Sequence, residues 1–520
     1  FILLMNLGSV DAPRQGTEGF YLQVAKETFL NDSWLTPMHM NQPHWSKPPL
    51  QFWLAFPFYG FSGGTSLFSS RLSILVFSLI MVWLIDRWCQ RQLRSKNLYF
   101  FLFFCGTIGF LKYSRIFMME MPLSLLTTYA VLKYYEFYKN RENSELAKSS
   151  FALALSNLVK GPVSFVMGFG GIGLYHLTRM IISKEKPRYK DVIIWALASI
   201  FIGSIWYLIS LINHGEDFFN YFFLRENVGK FTAQSYPVRV LFQGLLIFAL
   251  PWSLFIPFMF KEFKSNVKTN KTFQFVFINF LFFFILWMIP SQRSHHYAMP
   301  SVPLLLILIF DIVFNKSEHY VFSKAPLKIL AALFGFMSLI VMFSFKFTEV
   351  INDIPNLMRS FLTLVVLAYG IFILLARADY IRKIFLINFF AFTFVWIVFT
   401  PCFFLPTVPE RVISLVKEKE VNVLFRKPFF IAEALGQDIN IQNPEQAKAQ
   451  AQNPHTGFFI VEERFYKYLS LDKYLIIQDK WPIWKRGTKT KDILKAISDG
   501  KLSNLQERLL LLVPISKPAS

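Results

Sequence analysis

Two spacings of apolar and polar positions divide this chain. From Leu67 to Phe404, apolar runs of roughly 17–25 residues recur, the length of helix that crosses a bilayer core. The pattern predicts spans near 67–89, 98–114, 119–138, 147–159, 162–181, 192–212, 239–260, 273–290, 298–314, 325–346, 357–376 and 383–404. Ahead of them, "FILLMNLGSV" is apolar but too short to cross. We expect it to be the remainder of a truncated first transmembrane helix rather than a signal peptide, giving about thirteen helices in all. In the loop over residues 11–49, "GTEGFYLQVAKETF" repeats its apolar residues at helical spacing. It predicts a short amphipathic helix lying in the membrane interface, with Phe20, Val24 and Phe29 on its lipid or core side.

Beyond Pro406 the apolar runs shorten. "FFIAEAL", "GFFIVEE", "YLIIQDK" and "LLLLVPIS" have strand length, "KDILKAISDGK" reads as an amphipathic helix, and "NPEQAKAQAQNP" as a polar linker or exposed loop. The expected architecture is an all-α polytopic membrane domain over 1–405 and a small α/β domain over 406–520. No internal repeat is visible, which weighs against the inverted-repeat transporters.

Composition supports a membrane chain. Of 520 residues 54% are hydrophobic, 62 are Phe, and the mean hydropathy is +0.40, more than a soluble domain carries. The net charge of +21 would suit nucleic acid, but its placement excludes that partner. The basic residues gather in alternate short loops. These are Arg87, Arg91, Arg94 and Lys96; Lys139, Arg141 and Lys148; Arg179, Lys184, Lys186, Arg188 and Lys190. The series goes on with Lys261, Lys264, Lys268 and Lys271; Lys316, Lys324 and Lys328; and Arg377, Arg382 and Lys383. By the positive-inside rule these loops face the cytoplasm, so the other loops and residues 406–520 face outward. Cys89, Cys105 and Cys402 sit in or beside apolar runs without metal or disulfide spacing.

The unusual ionisable residues lie in the outward loops. The first carries Asp11, Glu18, Tyr21, His44 and Lys47, with Trp45, Phe52 and Trp53 as interfacial aromatics. Later turns carry Arg115 and Glu120 in "SRIFMMEMP", and Lys160 in "NLVKGP". The fourth loop, "EDFFNYFFLRENVGKF", holds Arg225, Glu226 and Lys230, and "SQRSHHYAMP" holds Arg293, His295, His296 and Tyr297. Ionisable groups at such boundaries cost free energy unless they pair or work. Snorkelling or a salt bridge accounts for Arg115, Arg225 and Lys230. It accounts less well for Lys160, hemmed in by apolar sequence, which suits a phosphate anion at the membrane surface. His295 and His296 divide between aromatic packing and substrate contact, and His39, His176, His214, His319 and His455 read as structural.

Six motifs in order, "TEGFYLQVAKE", "KPPLQFW", "SRIFMMEMPL", "LVKGP", "FFNYFFLRENVGKF" and "RSHHYAMPSVP", resemble the GT-C glycosyltransferases of the bacterial protein-mannosyltransferase-like group. The lipid A aminoarabinose transferases are relatives of that group. The likeness runs from about Asp11 to Pro303. It implies an inverting transferase in the bacterial inner membrane, with its active site and C-terminal domain on the periplasmic side. The implied donor is a polyprenyl-phosphate sugar, and the acceptor an envelope glycolipid, glycan or protein hydroxyl. It also implies that Lys160, Arg293 and Lys47 hold the departing phosphate, with Tyr21, Tyr297, His296 and Glu226 as further substrate contacts. Glu120 matches the second family acid.

The chain departs from the pattern in three places. The family aspartate in loop one falls on Thr17, leaving three readings: Glu18 serves as base, Asp11 does, or the acceptor needs none. Glu18 is favoured because it keeps the spacing to Tyr21. The aminoarabinose branch has Glu before the loop-one lysine and His after the loop-four glutamate. Here those are Ser46 and Asn227, so no metal site or cofactor is carried over, and Phe20 replaces a motif arginine. A transporter or lipid flippase is the alternative, disfavoured because the midplane stretches are nearly free of charge. A scaffold displaying the C-terminal domain gives no reason for "LVKGP".

Overall fold

The computed structural model describes residues 2–11, 17–228, 237–291, 293–315, 380–393, 404–453, 457–485 and 490–515. The expected spans 325–346 and 357–376 and residues 394–403 of the last one lie outside these. So do Lys230, Lys316, Lys324, Lys328, Arg377 and Cys402. The chain forms two compact units. Among the described residues one comprises 2–4, 24–315 and 380–393, and the other comprises 5–11, 17–23 and 404–515.

Helix α1 (Glu18–Leu30) begins in the second unit and ends in the first. There Phe29 packs on Phe56 and Tyr59, with ring centroids 5.5 and 5.3 Å apart. Val24, Ala25 and Thr28 are buried on one side of α1, as an amphipathic helix requires. A two-residue hairpin, β1 (Met38–His39) and β2 (Gln42–Pro43), leads to short helices α2 (Leu50–Trp53) and α3 (Phe56–Ser62). Trp45 and Phe52, two of the aromatics expected at the interface, are buried within the unit. The Ser66 side chain then caps α4 (Leu67–Leu93) by accepting the Ser69 N–H, satisfying one of the helix's orphan donors.

The expected span 98–114 is broken into α5 (Tyr99–Cys105) and α6 (Ile108–Tyr113). Asn388 enters at the break and donates to the Gly106 carbonyl at 2.9 Å, and Thr107 caps α6. Long helices follow: α7 (Glu120–Asn140), α8 (Asn143–Lys160), α9 (Val163–Ser183) and α10 (Tyr189–Phe219). Over its described residues, 216–228, the expected fourth loop is helical instead. After a break at Gly215 (φ 52°), the chain continues to Phe219 and then as a π-helical segment over Asn220–Val228. The reason is burial: Phe218 and Phe222 join Trp45, Leu158, Trp206 and Tyr207 in one aromatic cluster.

Helix α11 (Arg239–Phe248) turns through 107° into a 3-10 segment over Trp252–Phe258. A second bend, of 106°, joins α12 (Phe260–Thr269) to α13 (Lys271–Leu286). A 3-10 turn over His295–Ser301, in place of a loop, leads into α14 (Val302–Phe310), and α15 (Tyr380–Thr393) completes the unit. Among the described residues four helical stretches are long and apolar enough to cross a membrane: Leu67–Leu93, Val163–Ser183, Tyr189–Glu226 and His295–Val313. Counting each bent pair as one span makes six. One buried cluster of charge in the unit is paired. The buried ammonium of Lys133 lies 2.5 Å from Glu136 and 2.6 Å from Glu145, and Arg91 and Lys148 hold the same two carboxylates.

The second unit holds a five-stranded sheet of order β4-β3-β5-β7-β6, formed by β3 (Val421–Leu424), β4 (Asn440–Ile441), β5 (Phe458–Glu462), β6 (Leu475–Trp484) and β7 (Gln506–Pro514). β3 pairs in parallel with β4 and β5, and the remaining pairs are antiparallel. Both faces are covered. Along β7, Leu509 and Leu511 enter one core with Ile460 and Trp481, while Leu510 and Leu512 enter another with Phe459 and Val461. Two-sided burial explains the unbroken "LLLL", since successive side chains point to opposite faces.

Helices α16 (Glu410–Val416), α17 (Pro428–Leu435), α18 (Pro444–Ala451), α19 (Glu463–Tyr468) and α20 (Thr490–Ser498) flank the sheet in sequence. Two expectations fail here. "FFIAEAL" is helix α17, started by Pro428 and stopped by Gly436 in the left-handed region, and the "polar linker" is α18. A capping box between Asn443 and Gln446 starts α18, and Ala447 and Ala451 bury its inner side.

Candidate functional site

Lys160 is the last residue of α8, where a cation is favoured by the helix dipole. Gly161 stops the helix at φ 88°, its N–H bonding the Asn157 carbonyl at 2.8 Å, and Pro162 opens α9. Asn157 also fixes α8 to α10: its amide donates to the Gly203 carbonyl, and its own carbonyl accepts from Tyr207. The turn that carries Lys160 is therefore tied on both sides. Its ammonium stands 4.8 Å from the ring centroids of both Trp287 and Tyr297, a double cation–π contact.

Lys160, Trp287 and Tyr297 line a cavity of about 420 Å³ with Ser46, Lys47, Phe222 and Glu226. Lys47 and Glu226 form an ion pair at 3.3 Å, both side chains largely shielded. The indole N–H of Trp287 is buried with no hydrogen-bond acceptor among the described residues. Next to Tyr297, the ring of His296 packs against it and lies 3.6 Å from the buried carboxylate of Glu120, the first residue of α7. Lys160 and Lys112 both lie within electrostatic reach of that carboxylate. So Lys47, Lys160, Glu226 and Tyr297 share one cavity, and Glu120 and His296 pair beside Tyr297.

Arg293 does not line this cavity; its Nε and Nη2 donate to the Met288 carbonyl at 3.0 and 2.7 Å. Asp11, Glu18 and Tyr21 lie in the second unit. The carboxylate of Asp11 accepts the Thr407 N–H at 2.6 Å, and Glu18 is fully buried in the first turn of α1. Beside it, Gly19 fits closely against Phe429 and Phe430 of α17, and Phe20 meets Phe429 with centroids 5.9 Å apart. Arg115 is a buried structural group that donates to the Leu3 carbonyl; burial, with Arg71 nearby, brings its guanidinium down to about 10.

Among the described residues, those lining the cavity do not make up a divalent-cation site. Its one carboxylate among the lining residues, Glu226, already holds the ammonium of Lys47, and Ser46 offers only a hydroxyl. Sequence reasoning missed Trp287, whose signal was an aromatic ten residues before Tyr297 at a span's end. It also gave His44 no role. That imidazole contacts Ser46 through Nε2 at 2.5 Å and Tyr221 through Nδ1 at 3.2 Å. Burial, with His39 close by, pulls it down to about 4.

Residues 17–212 match the family described as dolichyl-phosphate-mannose-protein mannosyltransferase. An uncharacterised protein of Aquifex aeolicus is 26% identical over 68% of this chain and 70% of its own length. The undecaprenyl phosphate-alpha-4-amino-4-deoxy-L-arabinose arabinosyl transferase 1 of Proteus mirabilis is 23% identical over 63% of this chain. The match spans 61% of that relative, less than two thirds of its length. Among solved structures, the crystal structure of ArnT from Cupriavidus metallidurans bound to undecaprenyl phosphate aligns with a TM-score of 0.71. It covers 98% of this chain and 96% of that one at 14% identity, a likeness of fold. On the family match, the relatives and the shared fold together, the chain is similar to the GT-C glycosyltransferases of the protein-mannosyltransferase-like group, the lipid A aminoarabinose transferases among them.

Proposed function

We propose that this protein transfers a sugar, with inversion, from a polyprenyl-phosphate donor to an envelope acceptor at the outer surface of a bacterial inner membrane. The observation that carries the reading is Lys160, fixed between Trp287 and Tyr297 on the wall of a cavity that also holds Lys47. A cation held by two rings is aimed before substrate arrives, so little reorganisation is needed when negative charge develops beside it. The acceptor oxygen bonds to the anomeric carbon as that carbon's bond to the phosphate oxygen breaks. The acceptor's proton passes to a carboxylate, Glu18 in this reading, with Glu120 and Asp11 as the other acids assigned. The electron pair leaves on the lipid phosphate, which Lys160 and Lys47 receive. Tyr21, Tyr297, His296, Glu226 and Arg293 are assigned to binding and shaping the donor site. Residues 1–405 form the catalytic membrane domain, and 406–520 a periplasmic domain.

The test is transfer by the purified full chain in nanodiscs. Envelope lipids and proteins, compared by mass spectrometry with and without the gene, supply the sugar and acceptor. Lys160→Ala is expected to lower the rate by about 100-fold or more, the scale of losing one preorganised charge contact. Full activity in both Lys160→Ala and Glu18→Gln would remove the site assignment. Solute flux insensitive to both changes would favour a transporter.

A further inference from the structure

Ser46 lines the cavity and is gripped from behind. A neutral imidazole has one N–H and one acceptor nitrogen, and His44 uses both ring nitrogens, on Ser46 and on Tyr221. The guanidinium of Arg225 sits over the Tyr221 ring at 4.9 Å, which makes that phenol the better donor. Tyr221 O–H then donates to Nδ1, the proton of the imidazole is on Nε2, and Nε2–H donates to Ser46 Oγ. The oxygen of Ser46 is occupied as an acceptor on that side, so its own hydrogen turns toward the cavity. The charged residues lining it are the cations Lys47 and Lys160 and one carboxylate, Glu226, which is paired with Lys47.

We propose that Ser46 is a further substrate-binding residue whose hydroxyl donates to an anionic phosphate oxygen in the cavity, and that His44 and Tyr221 are positioning residues acting through it. The inference rests on the proposed donor class and deepens it. It also gives His44 a second task. The imidazole ties the loop carrying Ser46 and Lys47 to the π-helical segment carrying Tyr221 and Glu226, the two segments joined by the Lys47–Glu226 pair.

The experiment measures binding of undecaprenyl phosphate, and separately of inorganic phosphate, to the full chain in nanodiscs. Ser46→Ala and His44→Ala are each expected to weaken undecaprenyl phosphate binding about tenfold, the effect of losing a charge-assisted hydrogen bond. His44→Gln is expected to restore most of the loss seen in His44→Ala, because its terminal amide reaches the position of Nε2 and donates to Ser46. A generally structural role would not produce that rescue. Inorganic phosphate competing with the same dependence on Ser46 assigns the contact to phosphate alone. Competition only by the lipid form assigns it to a phosphate placed by its chain. Binding within twofold of the unaltered protein in both Ser46→Ala and His44→Ala, in folded samples, overturns the proposal. If Lys160→Ala weakens binding while these two do not, the donor reading stands and this one fails. If the unaltered protein does not bind undecaprenyl phosphate, both fall.

Discussion

At the scale of single residues, the cavity combines one cation fixed by rings with one loop fixed by a neutral histidine. The two rings around Lys160 accept a compact ammonium, whereas arginine brings a planar fork that fits the same gap differently. Lys160→Arg is therefore expected to keep binding of undecaprenyl phosphate better than it keeps turnover, which a split between KM and kcat would register. His44 answers to pH. The groups around it are His39, Lys47, Tyr221, Arg225 and Glu226, and its imidazole lies at about 4 against an ordinary value near 6.5. A histidine so depressed contributes stability that is complete above its unfolded value and is lost as pH falls toward the folded one. The difference in Tm between the unaltered protein and His44→Gln is thus expected to be constant above about pH 7 and to shrink between about pH 6.5 and 4. An unchanged difference down to pH 4 would contradict the neutral assignment.

At the scale of elements, the turn from α8 to α9 places Lys160 by backbone conformation. Gly161 has φ 88°, and an added Cβ would stand 3.3 Å from Phe222. Gly161→Ala is expected to cost about 1–3 kcal/mol, read as a lower Tm, and to slow transfer by displacing Lys160. The "KGP" sequence announced this turn, because glycine and proline together fix where one helix stops and the next starts. Helices α4, α7, α8 and α9 were legible as long apolar runs. The breaks were not: α5 and α6 separate where Asn388, far along the chain, enters at Gly106. Likewise "FFIAEAL" has the length of a strand or a buried helix, and apolar content alone does not separate the two. The signal was present in Pro428 and Gly436. At the site, Lys160, Lys47, Glu226 and Tyr297 stood out as charged or aromatic groups beside apolar runs. The grip of His44 on Ser46 did not, because it needs Tyr221 brought in from a segment that reads as a loop.

At the scale of the whole molecule, buried charge and the C-terminal unit set what can be removed. Lys133 bridges two carboxylates in a shielded network, so Lys133→Met leaves Glu136 and Glu145 facing each other with only the more exposed Arg91 and Lys148 to balance them. That change is expected to cost about 3–5 kcal/mol, measured as thermal unfolding in detergent, with little loss if Glu136 and Glu145 are neutralised as well. Cutting the chain after Pro406 removes Phe429 and Phe430 from against Gly19, and Thr407 from Asp11. Transfer is expected to fall well below that of any single change in the C-terminal unit, since Glu18 and Tyr21 sit on the same packed turn. The sheet of that unit has a further consequence. With both faces filled, any chain that joins it by backbone pairing has two places to do so, the borders β4 and β6. β4 is two residues long, while β6 runs for ten and shows Ile476 and Ile477 to solvent. The irregularity between Ile477 and Asp479 then acts as a guard, spoiling the register a neighbouring copy would need to stack into a fibril.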